Sequence, residues 1–148
     1  MTTNCSRGCA RHTRGTDLPS DTKHLSEFIR RSVTAVYEYA SDPANLPEWA
    51  AGLSNGIEFE DDEWVSISPM GRVVVEMAEP NHYGVLDHWV TTPDGDVFYN
   101  PLRVIEAEGG SEIVFSLRRA PGMSDDAFEA DAIAIVTDLA TLKGILEG

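Results

Sequence analysis

From about residue 58 to residue 119 the chain reads as strands and tight turns alone, and from about Ser124 onward it forms one long amphipathic helix. This order constrains the fold more than any other feature. A run of strands joined by short links makes an antiparallel sheet with one face to cover, and a helix with a single apolar stripe can cover it. Where the sheet curves, space remains between the layers, so the layout points to a cup.

The periodicities give the elements in order. Leu25, Phe28 and Ile29 predict a strand over about 23–31, and Ser32 is placed to cap a short helix carrying Val33, Val36, Tyr37 and Ala40 at helical spacing. Asp42-Pro43 stops that helix, because the residue before a proline disfavours helical backbone angles. A second helical turn is expected over 44–51, ended by Gly52. Strands then follow over about 56–60, 64–68, 72–78, 84–92, 97–106 and 111–119, separated by Asp61-Asp62, Pro69-Met70-Gly71, Pro80-Asn81, Pro93-Asp94-Gly95 and Gly109-Gly110. In the last helix Phe128, Ala132, Ile135, Leu139, Leu142 and Leu146 form one stripe, with Ala134, Thr137 and Thr141 opposite. That stripe has no titratable side chain, so the helix is expected to supply a wall rather than reactive groups.

A chain of 148 residues is long enough for one domain with a core, burying roughly 68–70% of its unfolded surface. Its formal net charge of −14 argues against nucleic acid or an anionic membrane as partners, since both need basic surface. The imbalance is concentrated after residue 22: the first 22 residues, read as a flexible tail, carry Arg7, Arg11 and Arg14 against Asp17 and Asp21. The longest unbroken apolar run is only Ala132 to Val136, and the N-terminus has no apolar signal-peptide core. A cytoplasmic protein is therefore expected, with Cys5 and Cys9 unpaired. Together with His12 those cysteines make only a weak metal signal, and the acidic hairpin Glu58, Glu60, Asp61, Asp62 and Glu63 reads as a solvated turn. No phosphate loop, nucleophile elbow or zinc pattern is present, so no cofactor and no metal is expected.

The stretch from Val36 to Trp49, with Asp42-Pro43-Ala44-Asn45-Leu46-Pro47-Glu48-Trp49 at its end, resembles the first helix and DPxxLPxW turn of the START-like, helix-grip (SRPBCC) superfamily. The resemblance covers about residues 23–147. Gly84-Val85-Leu86-Asp87-His88 and Pro101-Leu102-Arg103-Val104-Ile105 also look like a subgroup of small bacterial members. It implies an α+β helix-grip domain over 23–148: a seven-stranded antiparallel sheet wrapped around the C-terminal helix, with two short helices between the first two strands. The superfamily includes aromatic cyclases and dehydratases, lipid and hormone carriers, coenzyme Q-binding proteins and activators of a heat-shock chaperone. The fold is thus better specified than the function.

Register decides which polar groups face a cavity. Thr92-Pro93-Asp94-Gly95-Asp96 fits a three-residue hairpin loop, pairing Trp89 with Tyr99, His88 with Asn100 and Val85 with Arg103. A following turn of two or four residues pairs Val104 with Phe115 and turns His88, Phe98, Asn100 and Leu102 inward. Asp87 and Arg103 then form an exposed outer pair worth ~0–1 kcal/mol. A three-residue turn or a bulge would instead bring Asp87, Arg103, Trp89 and Tyr99 inside. The expected ligand-binding residues are Trp49, Trp64, His88, Phe98, Asn100, Leu102, Phe115, Phe128 and Ile135, with Asp87, Tyr99 and Arg103 in the reversed register.

Three functions compete. The first is binding of a small hydrophobic, polyketide-, lipid- or aromatic-like ligand. The second is a cofactor-independent polyketide cyclase/dehydratase-like enzyme with His88 as general acid/base. The third is an interaction module, chaperone-activator-like or a homodimer, using outer-face Trp89 and Tyr99.

Overall fold

A computed structural model describes residues 21–148. Most of the proposed tail, including Cys5, Cys9 and His12, lies outside the described residues. The strands are β1 (Thr22–Ile29), β2 (Glu58–Glu60), β3 (Glu63–Ser68), β4 (Gly71–Met77), β5 (His88–Thr91), β6 (Val97–Asn100), β7 (Leu102–Ala107) and β8 (Gly110–Arg118). The α-helices are α1 (Val33–Ala40), α2 (Leu46–Trp49) and α3 (Asp125–Glu147), with single 3-10 turns at Pro43–Asn45 and Ala51–Leu53. Gly52 therefore sits within a further turn instead of ending the helical segment. The caps are as expected: Ser32 accepts from the Ala35 N–H and Ser124 from the Ala127 N–H, each at 3.1 Å.

The strands form two antiparallel sheets, ordered β1-β8-β7 and β2-β3-β4-β5-β6. Eight strands thus replace the seven expected, and the extra one arises at Pro101. The β5–β6 hairpin has the expected register, His88 opposite Asn100 and Trp89 opposite Tyr99. The same register continues past Pro101, where Leu86 N–H donates to the Leu102 carbonyl at 2.8 Å, Val85 bridges Arg103, and Val104 N–H donates to Gly84 at 2.9 Å. Opposite Asp87 stands Pro101, which has no N–H to give, and the ladder breaks there. Side chains satisfy what the break leaves: the Leu102 N–H donates to Asp87 Oδ1 at 3.0 Å, and the Leu86 carbonyl lies 3.1 Å from His88 Nδ1.

The next turn has two residues, Glu108-Gly109, with Gly109 at φ +83°. Val104 therefore pairs with Ile113 and Leu102 with Phe115, two positions from the expected Val104–Phe115 pair. A shift of two keeps every side chain on its face, so the inward set is unchanged.

The core lies between the sheets and α3. Phe128, Ala132, Leu139 and Leu142 of α3 are buried, as are Ile29, Val36, Val75, Leu86, Leu102, Val104 and Ile113. Burying such aliphatic side chains contributes roughly 1.5–3 kcal/mol each.

Candidate functional site

A cavity of about 340 Å³ lies between α3, the α2 segment and the inner face of β4, β5, β6 and β8. Trp49, Leu53, Val73, Val90, Phe115 and Ile135 give it apolar walls. The polar groups on its lining are Ser68, His88, Asn100, Asp131 and Asp138. Apolar walls with a few placed polar groups are the usual composition of a small-molecule site.

Of the nine residues first expected to bind ligand, Trp49, His88, Asn100, Phe115 and Ile135 line this cavity. Four do not. Leu102 is 1% exposed and belongs to the core under the cavity. Trp64 packs its ring against Phe59, 5.2 Å between centroids, near the far edge of the larger sheet. Phe98 shares the inner face with His88 but sits on the edge strand β6, does not line the cavity and is 43% exposed. Phe128, on the first turn of α3, is buried at the other end of the helix beneath Lys23 and Arg119.

His88 projects from β5 at the ladder break and meets the edge of Phe115, 6.3 Å between ring centroids. The Leu86 carbonyl can only accept, so the contact with His88 requires the proton on Nδ1 and leaves Nε2 as an acceptor. Burial pushes the imidazole below its ordinary pKa, against smaller opposing contributions from the Leu86 carbonyl and Asp87. The ring is therefore neutral at pH 7. Asn100 stands directly across the ladder. Asp138 on α3 accepts the Ala51 N–H at 3.2 Å, and burial raises its carboxyl pKa.

Asp87, Tyr99 and Arg103 stay outside the cavity, as the two-residue turn dictates. They do not form the weak exposed pair expected of that register. Asp87 is only 6% exposed, and its carboxylate accepts both Nε and Nη2 of Arg103 at 2.9 and 2.8 Å, the Tyr99 hydroxyl at 2.7 Å and the Leu102 N–H. The Arg103 guanidinium does most to hold the carboxyl down, to about 2, against the opposing effect of burial. Trp89 stacks on Tyr99, 5.3 Å between centroids.

No family model matches the sequence, and no curated protein matches it. Solved structures do match by shape. An uncharacterized protein from Bacillus thuringiensis superposes with a TM-score of 0.69 at 14% identity, covering 86% of this chain and all of that one. A START superfamily protein from Mycobacterium smegmatis gives 0.59 at 12% identity, over 86% of this chain and 97% of that one. The chain has the START-like helix-grip fold. DynU16, a protein of the dynemicin biosynthetic locus, also matches, with a TM-score of 0.65 at 14% identity over 87% of this chain and 48% of that one. Among the described residues no helix is long and apolar enough to cross a membrane.

Within this helix-grip frame, sequence reasoning missed the carboxylates. Asp131 and Asp138 are seven residues apart and flank Ile135, so they lie on one side of α3 beside the apolar stripe. The helix therefore brings titratable groups to the cavity, contrary to the expectation of a plain wall. Ala134, expected on the opposite face, lies on the rim with Asp131. Helical spacing from Ile135 could have found both carboxylates, at i−4 and i+3, had the wall been read as wider than the buried stripe.

Proposed function

We propose that the protein binds a small, predominantly apolar molecule in the cavity between sheet and α3. The observation that carries this reading is the cavity itself: about 340 Å³ walled by Trp49, Phe115 and Ile135, with His88 and Asn100 paired on one wall. Such a volume lies in the range of small-molecule sites, and paired polar groups on an apolar wall orient a ligand. The START-like fold supports it, being one in which helix and sheet enclose space. The neutral probe N-phenyl-1-naphthylamine should bind with fluorescence enhancement. Ala134→Trp, which fills the rim from an exposed helix position, should weaken that binding about tenfold or more. Equal binding by both proteins would place the probe elsewhere and remove the proposal.

A second reading, a cofactor-independent polyketide cyclase/dehydratase-like enzyme, is favoured by the His88 tautomer. A neutral imidazole with Nε2 unoccupied can take a proton from an activated methylene, whose carbon attacks a ketone carbonyl of the same chain; the imidazolium protonates the alkoxide so formed, and removal of the remaining α-proton expels that hydroxyl as water. A poly-β-ketone thioester mimic should then lose water in the presence of the protein. His88→Gln should slow that loss about a hundredfold, far more than it weakens probe binding. Undiminished dehydration by the variant would remove His88 from the chemistry.

A further inference from the structure

The charged groups of the cavity are unbalanced in a way that the fold does not require. Three of the six acidic side chains of α3 have cationic partners: Asp125 pairs with Arg119 at 2.8 Å, Glu129 with Lys23 at 3.2 Å, and Glu147 with Lys143 at 2.9 Å and Arg30 at 3.3 Å, while Asp126 of the first turn lies outside the cavity lining. Asp131 and Asp138, the two that line the cavity, make no ion pair among the described residues. No Lys or Arg contributes to the lining at all. The one hydrogen bond of Asp138 comes from a backbone N–H, which leaves its second carboxylate oxygen without a donor among the described residues.

The rest of the polar lining has the same bias. His88 spends its only N–H on Leu86 and offers Nε2 as an acceptor. Ser68 is already engaged, its hydroxyl donating to the Gly71 carbonyl at 3.1 Å and accepting from Met70 N–H at 3.0 Å. The Asn100 amide is the side-chain donor left on the lining, the Trp49 indole N–H being buried without an acceptor among the described residues. A ligand carboxylate would meet two carboxylates with no cation to offset them, at the cost of like-charge repulsion in a partly desolvated site. A ligand ammonium would supply donors that Asp138 and His88 Nε2 lack, and the net charge of −14 would favour its approach.

We propose that the cavity selects an apolar ligand bearing a protonated amine, with the ammonium on Asp138 and the apolar body between Trp49, Phe115 and Ile135. This rests on the cavity being a ligand site. Asp138 is the positioning anion, and Asp131 at the exposed rim attracts the incoming cation.

The test is titration calorimetry of the full chain with three ligands sharing one ring: 2-(2-naphthyl)ethylamine, 2-(2-naphthyl)ethanol and 2-naphthylacetate. The amine should bind about tenfold tighter than the alcohol, with the acetate weakest. Asp138→Asn should bring the amine-to-alcohol affinity ratio to about one, with an unchanged circular dichroism spectrum and thermal midpoint showing that the variant is folded. Asp131→Asn should lower amine affinity by a smaller factor. If alcohol and amine bind equally to the unsubstituted protein, or the acetate binds best, the charge selection is wrong while the cavity reading stands. If Asp138→Asn keeps the amine preference, Asp138 serves only to hold the Ala51 turn and the proposal falls. If none of the three binds, the cavity reading itself fails.

Discussion

Gly84→Ala should lower stability by roughly 3 kcal/mol or more, enough to shift the thermal midpoint by on the order of 10 °C in a chain of this size. Gly84 is buried at φ +74°, a conformation that costs an L-residue about 1 kcal/mol or more. The larger effect is steric. A Cβ there would lie 2.2 Å from the Val104 carbonyl oxygen, while Gly84's own carbonyl accepts the Val104 N–H at 2.9 Å. Strand β7 would have to move away, and that bond joins the two sheets beyond the Pro101 break. Gly95→Ala is the control, since Gly95 has φ +91° but no atom within 4 Å of the added methyl. It should cost only the conformational part, about 1 kcal/mol. Chemical denaturation of both variants checks this, and equal losses would mean that the close approach at Gly84 is not what matters.

Asp87→Asn should destabilise by roughly 2–4 kcal/mol although the residue touches no ligand. The variant loses the charge that Arg103 contacts twice, and its amide nitrogen cannot accept where one of the two oxygens did. Arg103 is half exposed and stays solvated, which keeps the loss below that of a fully buried pair. The pH dependence gives an independent reading. The folded pKa of about 2 lies below the ordinary carboxyl value of 3.8, so the contribution is complete above pH ~4 and fades as pH falls towards 2. Its size is on the order of 2 kcal/mol. Urea midpoints measured between pH 5 and pH 2 should therefore fall less steeply for Asp87→Asn than for the unsubstituted chain. Parallel slopes would show that Asp87 is not held in its ionised form by the fold.

This carboxylate shows what a sequence reading can and cannot reach. The hairpin loop at Pro93-Asp94-Gly95 fixes a register by its own chemistry, and every pair inferred from it is present, from Thr92 with Asp96 to Val85 with Arg103. Register gives the face but not the depth. Asp87 was placed correctly on the outer face and wrongly assumed exposed, because the break opposite Pro101 draws the carboxylate in to accept the Leu102 N–H. Phe98 shows the converse, an inward face that nothing covers.

Local chemistry therefore determined most of the architecture: the caps at Ser32 and Ser124, the β5–β6 hairpin register, the antiparallel order and the buried stripe of α3. Each depends on residues a few positions apart, or on a two-residue or helical period that the chain displays directly. Only the tertiary structure decided which inward residues meet a cavity and which meet core or solvent. It also brought Asp131 and Asp138 into one cavity lining with His88 and Asn100, with no Lys or Arg among the described lining residues. The physical reason is that long-range placement depends on the sum of many side-chain volumes, whereas periodicity reports only the direction in which each one points.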